Sequence, residues 1–243
     1  MSGKPDATVT PPPAGPAAPA DHAAPTDCCA ADPRIARHFD QRARKRTAGG
    51  RLPEMVNVTR TLLGLLDDVG AEQPTLLELG CGTGALTVEL LGQGATSADG
   101  FDLSAGAIDV ARRRAEEAGV AERVHFALAD AAQAELTAHD WVVLDRVICC
   151  YPDVDRLLGN AVPAAHRRLA FSVPARRGWR GLISRLVVSA ENATNRLRRY
   201  PCPGYVHDID QIERRLADAG FRRLRHATVG LWYAAVFERP ADA

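Results

Sequence analysis

The chain has 243 residues, of which 46% are hydrophobic, and its 30 Lys+Arg balance its 30 Asp+Glu. That size fits one domain of roughly 100–200 residues with a tail, and zero net charge argues against a dedicated nucleic-acid binder, which carries a basic excess. No apolar run approaches the ~20 residues of a membrane helix, and no basic start leads into an apolar core, so neither a membrane partner nor a secretory signal is expected.

In chain order, residues 1–33 are rich in Pro and Ala, including Pro11-Pro12-Pro13, with few large apolar side chains. Such a segment buries too little surface to offset chain entropy and reads as a disordered tail. Residues 34–70 read as an N-terminal helical cap. Ile35, Phe39 and Ala43 recur at helical spacing among Arg34, Arg37, Arg42, Arg44, Lys45 and Arg46, the pattern of a basic amphipathic helix. Gly49-Gly50 ends it, and a second helix is predicted over about 53–68.

Residues 71–243 then alternate. Strands are predicted at Thr75–Leu79, Ala98–Phe101, Val124–Leu128, Trp141–Val147 and Leu169–Val173. Helices are predicted at Ala85–Leu91 and Ala105–Ala118, with His166–Arg168 closing another. Alternation of this kind means a parallel sheet with right-handed crossovers. The end differs: a helix over Asp208–Ala219 precedes Phe221–Val229 and Leu231–Glu238, joined only at Gly230. That gap is too short for a parallel crossover, so an antiparallel hairpin is expected.

The informative stretch is Leu76-Leu77-Glu78-Leu79-Gly80-Cys81-Gly82-Thr83-Gly84-Ala85, between a strand and a helix. Glycines there allow a tight turn and close approach of a ligand. Asp102 lies 18 residues past Gly84 at the tip of the next strand, where a carboxylate can accept from ribose hydroxyls. Asp102 could instead cap the following helix, a role Ser104 can also fill. Glu78, two residues before the first glycine, suits a ligand with a free amino group better than a pyrophosphate. Asp130 ends the third strand. The alternatives are a solvated strand-end carboxylate for Glu78 and a plain loop residue for Asp130.

Together these features resemble the class I S-adenosylmethionine-dependent methyltransferases, over about residues 53–240. Leu76–Leu79 with Gly80, Gly82 and Gly84 looks like that family's first motif, Gly100-Phe101-Asp102-Leu103-Ser104 like its second and Ala129-Asp130-Ala131 like its third. The resemblance implies an α/β Rossmann-like sheet, mostly parallel with a C-terminal antiparallel hairpin and helices on both faces. It implies S-adenosyl-L-methionine as cofactor. Glu78, Gly80, Cys81, Gly82 and Gly84 would hold the methionine part, Asp102 and Leu103 the ribose, and Asp130 and Ala131 the adenine.

The loop after the fourth strand is the catalytic position. It reads Asp145-Arg146-Val147-Ile148-Cys149-Cys150-Tyr151-Pro152 and lacks the Asn/Asp-Pro-Pro-Tyr motif of amino-methylating DNA enzymes. Candidate catalytic residues are Tyr151, His207 and Cys150. The plainer alternatives are a packed ring for Tyr151, a helix cap for His207 and a small buried residue for Cys150. The second half is also distantly similar to magnesium-protoporphyrin O-methyltransferases, in Tyr151-Pro152, Phe171-Ser172-Val173-Pro174 and Tyr205-Val206-His207. Those enzymes carry a histidine where this chain has Cys150. No metal site is expected, since Asp145 alone is too few oxygens and Cys28, Cys29, Cys81, Cys149, Cys150 and Cys202 lack zinc spacing. Reduced thiols fit a cytoplasmic location.

The expected function is methyl transfer to a small-molecule acceptor, with Arg34–Arg46 and Arg176–Arg199 as basic additions that cover the acceptor, bind an acidic group on it, or simply face solvent. A protein or RNA acceptor, a nicotinamide-dependent oxidoreductase and a cofactor-binding protein without turnover are the other readings, because one fold hosts many functions.

Overall fold

The computed structural model describes residues 33–47, 52–198 and 203–240. The expected tail, Gly49-Gly50, Cys28, Cys29 and Cys202 lie outside them. Seven strands form one sheet: β1 Thr75–Leu79, β2 Ser97–Asp102, β3 Val124–Leu128, β4 His139–Asp145, β5 Ala165–Pro174, β6 Arg222–Val229 and β7 Trp232–Glu238. Their order is β3-β2-β1-β4-β5-β7-β6. The first five strands run parallel, and β7 lies antiparallel to both β5 and β6. This is the Rossmann-like sheet that the family resemblance implied, closed by the expected hairpin.

The helices are α1 Pro33–Arg46, α2 Asn57–Leu65, α3 Val69–Glu72, α4 Ala85–Gly92, α5 Ala105–Glu117, α6 Val154–Ala164, α7 Gly178–Leu197 and α8 Ile209–Asp218. They cover both faces because side chains alternate along each strand. On one face Leu77, Leu79, Val142, Leu144 and Phe171 pack against Leu157 and Leu158 of α6 and Ile212 and Leu216 of α8. On the other, Leu76, Trp141, Val143 and Ala170 pack against Leu62 of α2, Leu86 and Leu90 of α4, and Ile108 of α5.

Three predicted boundaries change. The helix expected over 53–68 is shorter, Asn57–Leu65, because residues 52–56 carry no regular structure and Leu66 leaves helical geometry, with the short α3 following at Val69. The break allows Asp67 and Asp68 to reach Arg225, and Asp68 to reach Arg168. The fourth strand begins two residues earlier than expected and stops at Asp145, because Arg146 takes a left-handed φ of 59°. His166–Arg168 belong to β5 and do not close a helix.

The last correction has a clear cause. Arg168 is 3% exposed, yet it is paired with Asp68 at 2.7 Å, Glu72 at 2.8 Å and Glu238 at 3.5 Å. Its guanidinium also stacks on Trp141 at 4.6 Å, and these partners let a charged residue sit inside a strand. Removing one member of a buried ionic cluster leaves the others uncompensated. Arg168→Met should therefore lower unfolding free energy by about 3 kcal/mol, the low end of the range since the carboxylates reach solvent. Urea unfolding checks this, and a change under 1 kcal/mol on the order of a surface pair would contradict the clamp.

Candidate cofactor and acceptor site

Parallel strands bring their carboxyl ends to one edge of the sheet, and β1 through β4 carry Glu78, Asp102, Asp130 and Asp145 at or just beyond those ends. The loop between β1 and α4 turns through three glycines with positive φ: Gly80 at 74°, Gly82 at 53° and Gly84 at 69°. At Gly80 a Cβ would lie 2.6 Å from Val147, whereas at Gly82 it would meet nothing within 4 Å. The first glycine is required by packing inside the protein, and the second leaves open space of the kind a ligand can fill.

Asp102 holds that loop. Its Oδ2 accepts from the Gly82 N–H at 2.8 Å and its Oδ1 from the Ser104 N–H at 2.9 Å. Each carboxylate oxygen can accept a second bond, so two outward hydroxyls can still be received. Burial raises the Asp102 pKa against the opposing effect of the backbone donors. The helix-cap role falls to Ser104, whose hydroxyl accepts from the Ala107 N–H at 3.0 Å.

Glu78 is 5% exposed, so it is not a solvated strand-end group. Its Oε2 accepts from both the N–H and the hydroxyl of Thr87 on α4. Burial pushes its pKa up to about 8, helped by the negative charge of Asp145 and Asp102. Cys81 is buried in the same loop, and desolvation with the charges of Asp102 and Glu78 raises its thiol pKa. That environment makes Cys81 a packing residue with an inert thiol. Leu103 follows Asp102 directly and is partly buried.

The structure brings Asp130 and Tyr151 together. The Tyr151 hydroxyl donates to Asp130 Oδ1 at 2.6 Å, and the ring is 2% exposed. Asp130 also accepts from the Ala132 N–H at 3.1 Å, and Ala131 beside it is buried. His207 donates from Nε2 to the Tyr151 carbonyl at 2.8 Å, and burial lowers its pKa. It does not cap α8, because Asp208 accepts from the Asp210 N–H in that role. Cys150 points its thiol toward the Arg146 carbonyl at 3.8 Å. Asp145 is taken up by two hydroxyls, Thr59 from α2 and Ser172 from β5, at 2.5 Å each. Among the described residues no cluster of His, Cys, Asp and Glu could hold a metal ion.

Several contributors had no signal in the sequence. Thr87 sits in an ordinary apolar helix, Arg114 donates to the carbonyls of Thr83 and Pro53 at 2.9 and 2.6 Å, and Asp40 of α1 accepts from Ser104 Oγ at 2.6 Å and the Gly106 N–H at 2.9 Å. Asp40 seats the basic helix on the start of α5, beside Asp102.

Beyond β5, the chain passes into α7. Asn192 exchanges two 2.8 Å bonds with Gly204, and the Tyr205 N–H donates to Cys149 at 2.8 Å. At the start of α7 a cavity of about 330 Å³ is lined by Arg176, Arg177, Trp179, Arg180, His226 and Tyr233, among others. Arg176 is paired with Asp208, and Arg177 with Asp210 and Glu213. Among the described residues Arg180 Nε has no partner.

Residues 76–169 match the family model described as a methyltransferase domain. Ribosomal protein L11 methyltransferase of Pasteurella multocida is 38% identical over 80 residues, 33% of this chain and 27% of that protein. The Haemophilus influenzae protein of the same name is 32% identical over 105 residues, 41% of this chain and 35% of its own. The chain thus spans only about a quarter to a third of these relatives. Magnesium protoporphyrin IX methyltransferase from Synechocystis PCC 6803, crystallised with bound SAH, superposes with a TM-score of 0.65 at 20% identity, over 84% of this chain and 96% of that one. An O-methyltransferase family protein from Burkholderia thailandensis gives 0.65 at 19%, over 90% and 66%. The shared feature is the fold.

The buried Glu78 makes stability depend on pH. In the fold its carboxyl stays protonated up to about 8, against an ordinary value of 4.5 when exposed. The native state therefore holds a proton that the unfolded chain releases first, and the stability present below 4.5 is lost as pH rises through 8. The melting temperature should fall from pH 5 to pH 8.5, and Glu78→Gln should flatten that decline. Parallel pH profiles for the two proteins in thermal melts would count against it.

Proposed function

From a chain whose residues 76–169 carry a methyltransferase domain on the class I fold, we propose that it binds S-adenosylmethionine across the carboxyl ends of β1–β3 and transfers its methyl group to a small-molecule acceptor bearing an acidic group. The observation that carries this reading is Asp102, fixed by the Gly82 and Ser104 N–H groups beside the open space at Gly82. The cofactor would supply an activated methyl on a sulfonium. Gly80–Gly84 and Glu78 would receive its methionine part, Asp102 and Leu103 its ribose, and Asp130 with Ala131 its adenine. Ribose hydroxyls donate to a carboxylate, and a cationic ligand suits an edge carrying three aspartates. A pyrophosphate would be repelled there, which weighs against a nicotinamide cofactor.

For the acceptor, the cavity beside α7 offers Arg180 together with the aromatic rings of Trp179 and Tyr233, a set suited to a planar or apolar body with an anionic group. The L11 methyltransferases favour a protein acceptor as a second reading, but the match covers about a quarter of the Pasteurella multocida protein. Tyr151 and His207 are best assigned to positioning, because each spends its proton on the loop around Asp130 and Tyr151. In-line transfer then relies mainly on alignment.

Calorimetry with S-adenosylmethionine and with NAD tests the cofactor. The first should bind, and Asp102→Ala should weaken it by about 1.5–3 kcal/mol, roughly 10- to 150-fold. Binding of NAD alone, or unchanged affinity in a folded Asp102→Ala protein, would sink the assignment. A radiolabelled-methyl screen over carboxylated metabolites, RNA and ribosomal protein identifies the acceptor class.

With an acceptor in hand, Tyr151→Phe separates positioning from proton transfer. A general base contributes about 10²–10⁴-fold. A positioning residue should change kcat by less than about tenfold, with no change in the pH profile and a measurable rise in cofactor KM. A hundredfold loss of kcat with an altered pH profile would make Tyr151 the base.

A further inference from the structure

We propose that α7 is a docking helix for an anionic lipid surface, with its outward apolar stripe inserted among the acyl chains. Helix α7 buries the wrong side for an ordinary amphipathic helix. Its less exposed side carries Gly181, Ser184, Asn192 and Asn195, which are small or polar, with Val188 the one apolar side chain among them. Gly181 is so close to the body that a Cβ there would lie 1.8 Å from the Arg176 carbonyl, and Ser184 donates to the Leu231 carbonyl at 3.2 Å. The opposite side carries the large apolar residues: Trp179 is 65% exposed, Leu182 62%, Leu186 61% and Leu197 87%, with Ile183 and Val187 also exposed.

At about 100° per residue, these six residues fall in one arc roughly 140° wide, running the length of the helix. Ala190 and Ala193 lie in the same arc. A contiguous apolar stripe of this size marks a contact surface, unlike singly exposed apolar residues.

Charge selects the occupant. Arg198 flanks the arc on one side, Arg185 and Arg196 on the other, and Glu191 is the one acidic residue between 176 and 198. Arginines on both margins of an apolar face match a helix lying in the headgroup region, apolar side down, with guanidinium groups at phosphate level. A second copy of the chain fits worse, because an isologous pairing of α7 would set these arginine rows against each other. Among the described residues no helix is long and apolar enough to cross a membrane. The arrangement is peripheral, and it revises the expectation of no membrane partner drawn from the absence of an apolar run. It does not depend on the proposed cofactor or acceptor.

The test is co-sedimentation of the full chain with phosphatidylcholine vesicles, with and without phosphatidylglycerol. Trp179 is the reporter, since Trp141 is buried and Trp232 half-buried. Binding should require phosphatidylglycerol, weaken in high salt, and shift tryptophan emission to shorter wavelength. Leu182→Ser with Leu186→Ser should cut the partition coefficient at least roughly tenfold without lowering the melting temperature, as both side chains already face solvent. Arg185→Glu with Arg196→Glu should abolish the preference for phosphatidylglycerol. No sedimentation with either vesicle, equal binding by the leucine variant, or concentration-dependent dimers that the leucine variant dissolves would overturn it.

Discussion

The carboxylate of Asp102 is the fixed point of the carboxyl edge. One of its oxygens takes an N–H from the loop after β1 and the other an N–H from the turn into α5, so a single side chain ties two crossover loops together. The left-handed backbone at Gly80 complements it, because only a residue without Cβ can pass Val147 from the loop after β4. Three consecutive parallel units are thereby indexed to one another at one end. The positions of Asp130, Tyr151 and the β4 loop follow from that indexing.

The same edge concentrates negative charge. Glu78, Asp102, Asp130 and Asp145 each find donors within the fold: Thr87, backbone N–H groups, Tyr151, Thr59 and Ser172. Hydroxyl and amide donors stabilise a carboxylate without cancelling its charge. The edge therefore keeps a negative potential, which adds to burial, the larger cause, in raising the pKa of Glu78 and Asp102. Under the proposed reading that potential is what a sulfonium and an ammonium would meet. Arginines lie nearby, but those of the α7 cavity are mostly paired with their own acids, so positive charge stays with the acceptor end.

Much of the sheet was legible because its strands are short apolar runs punctuated by Gly and Asp, as at Thr75–Leu79 and Val124–Leu128. The errors fall where tertiary pairing overrides local pattern. His166–Arg168 reads as a polar helix end, and only the distant Asp68, Glu72 and Glu238 make it a strand. Leu66 to Asp68 continues a helical pattern, and only Arg168 and Arg225 explain the break. At the candidate site, Glu78, Asp102 and the glycines stood out in the sequence as a strand–loop–helix pattern, and the structure gathers them at one edge. Thr87, Arg114 and Asp40 did not stand out, since a threonine, an arginine or an aspartate on a helix has no distinguishing local mark. Helix α7 and its outward stripe were not predicted: Arg176–Arg199 stood out only as basic, and periodicity cannot say which way an apolar face points.

That direction bears on how the helix is held. A helix that met the body through large apolar side chains would be fixed to it by buried area. Helix α7 instead meets it through small and polar residues, with hydrogen bonds at Ser184 and Asn192 that water can replace at little net cost. A helix held in this way opens more readily than one held by buried area. Its far end is joined through Asn192 and Gly204 to the segment whose Tyr205 N–H bonds Cys149 in the loop after β4. A surface that engages the outward face of α7 would therefore act on the element whose first turn lines the cavity proposed for the acceptor.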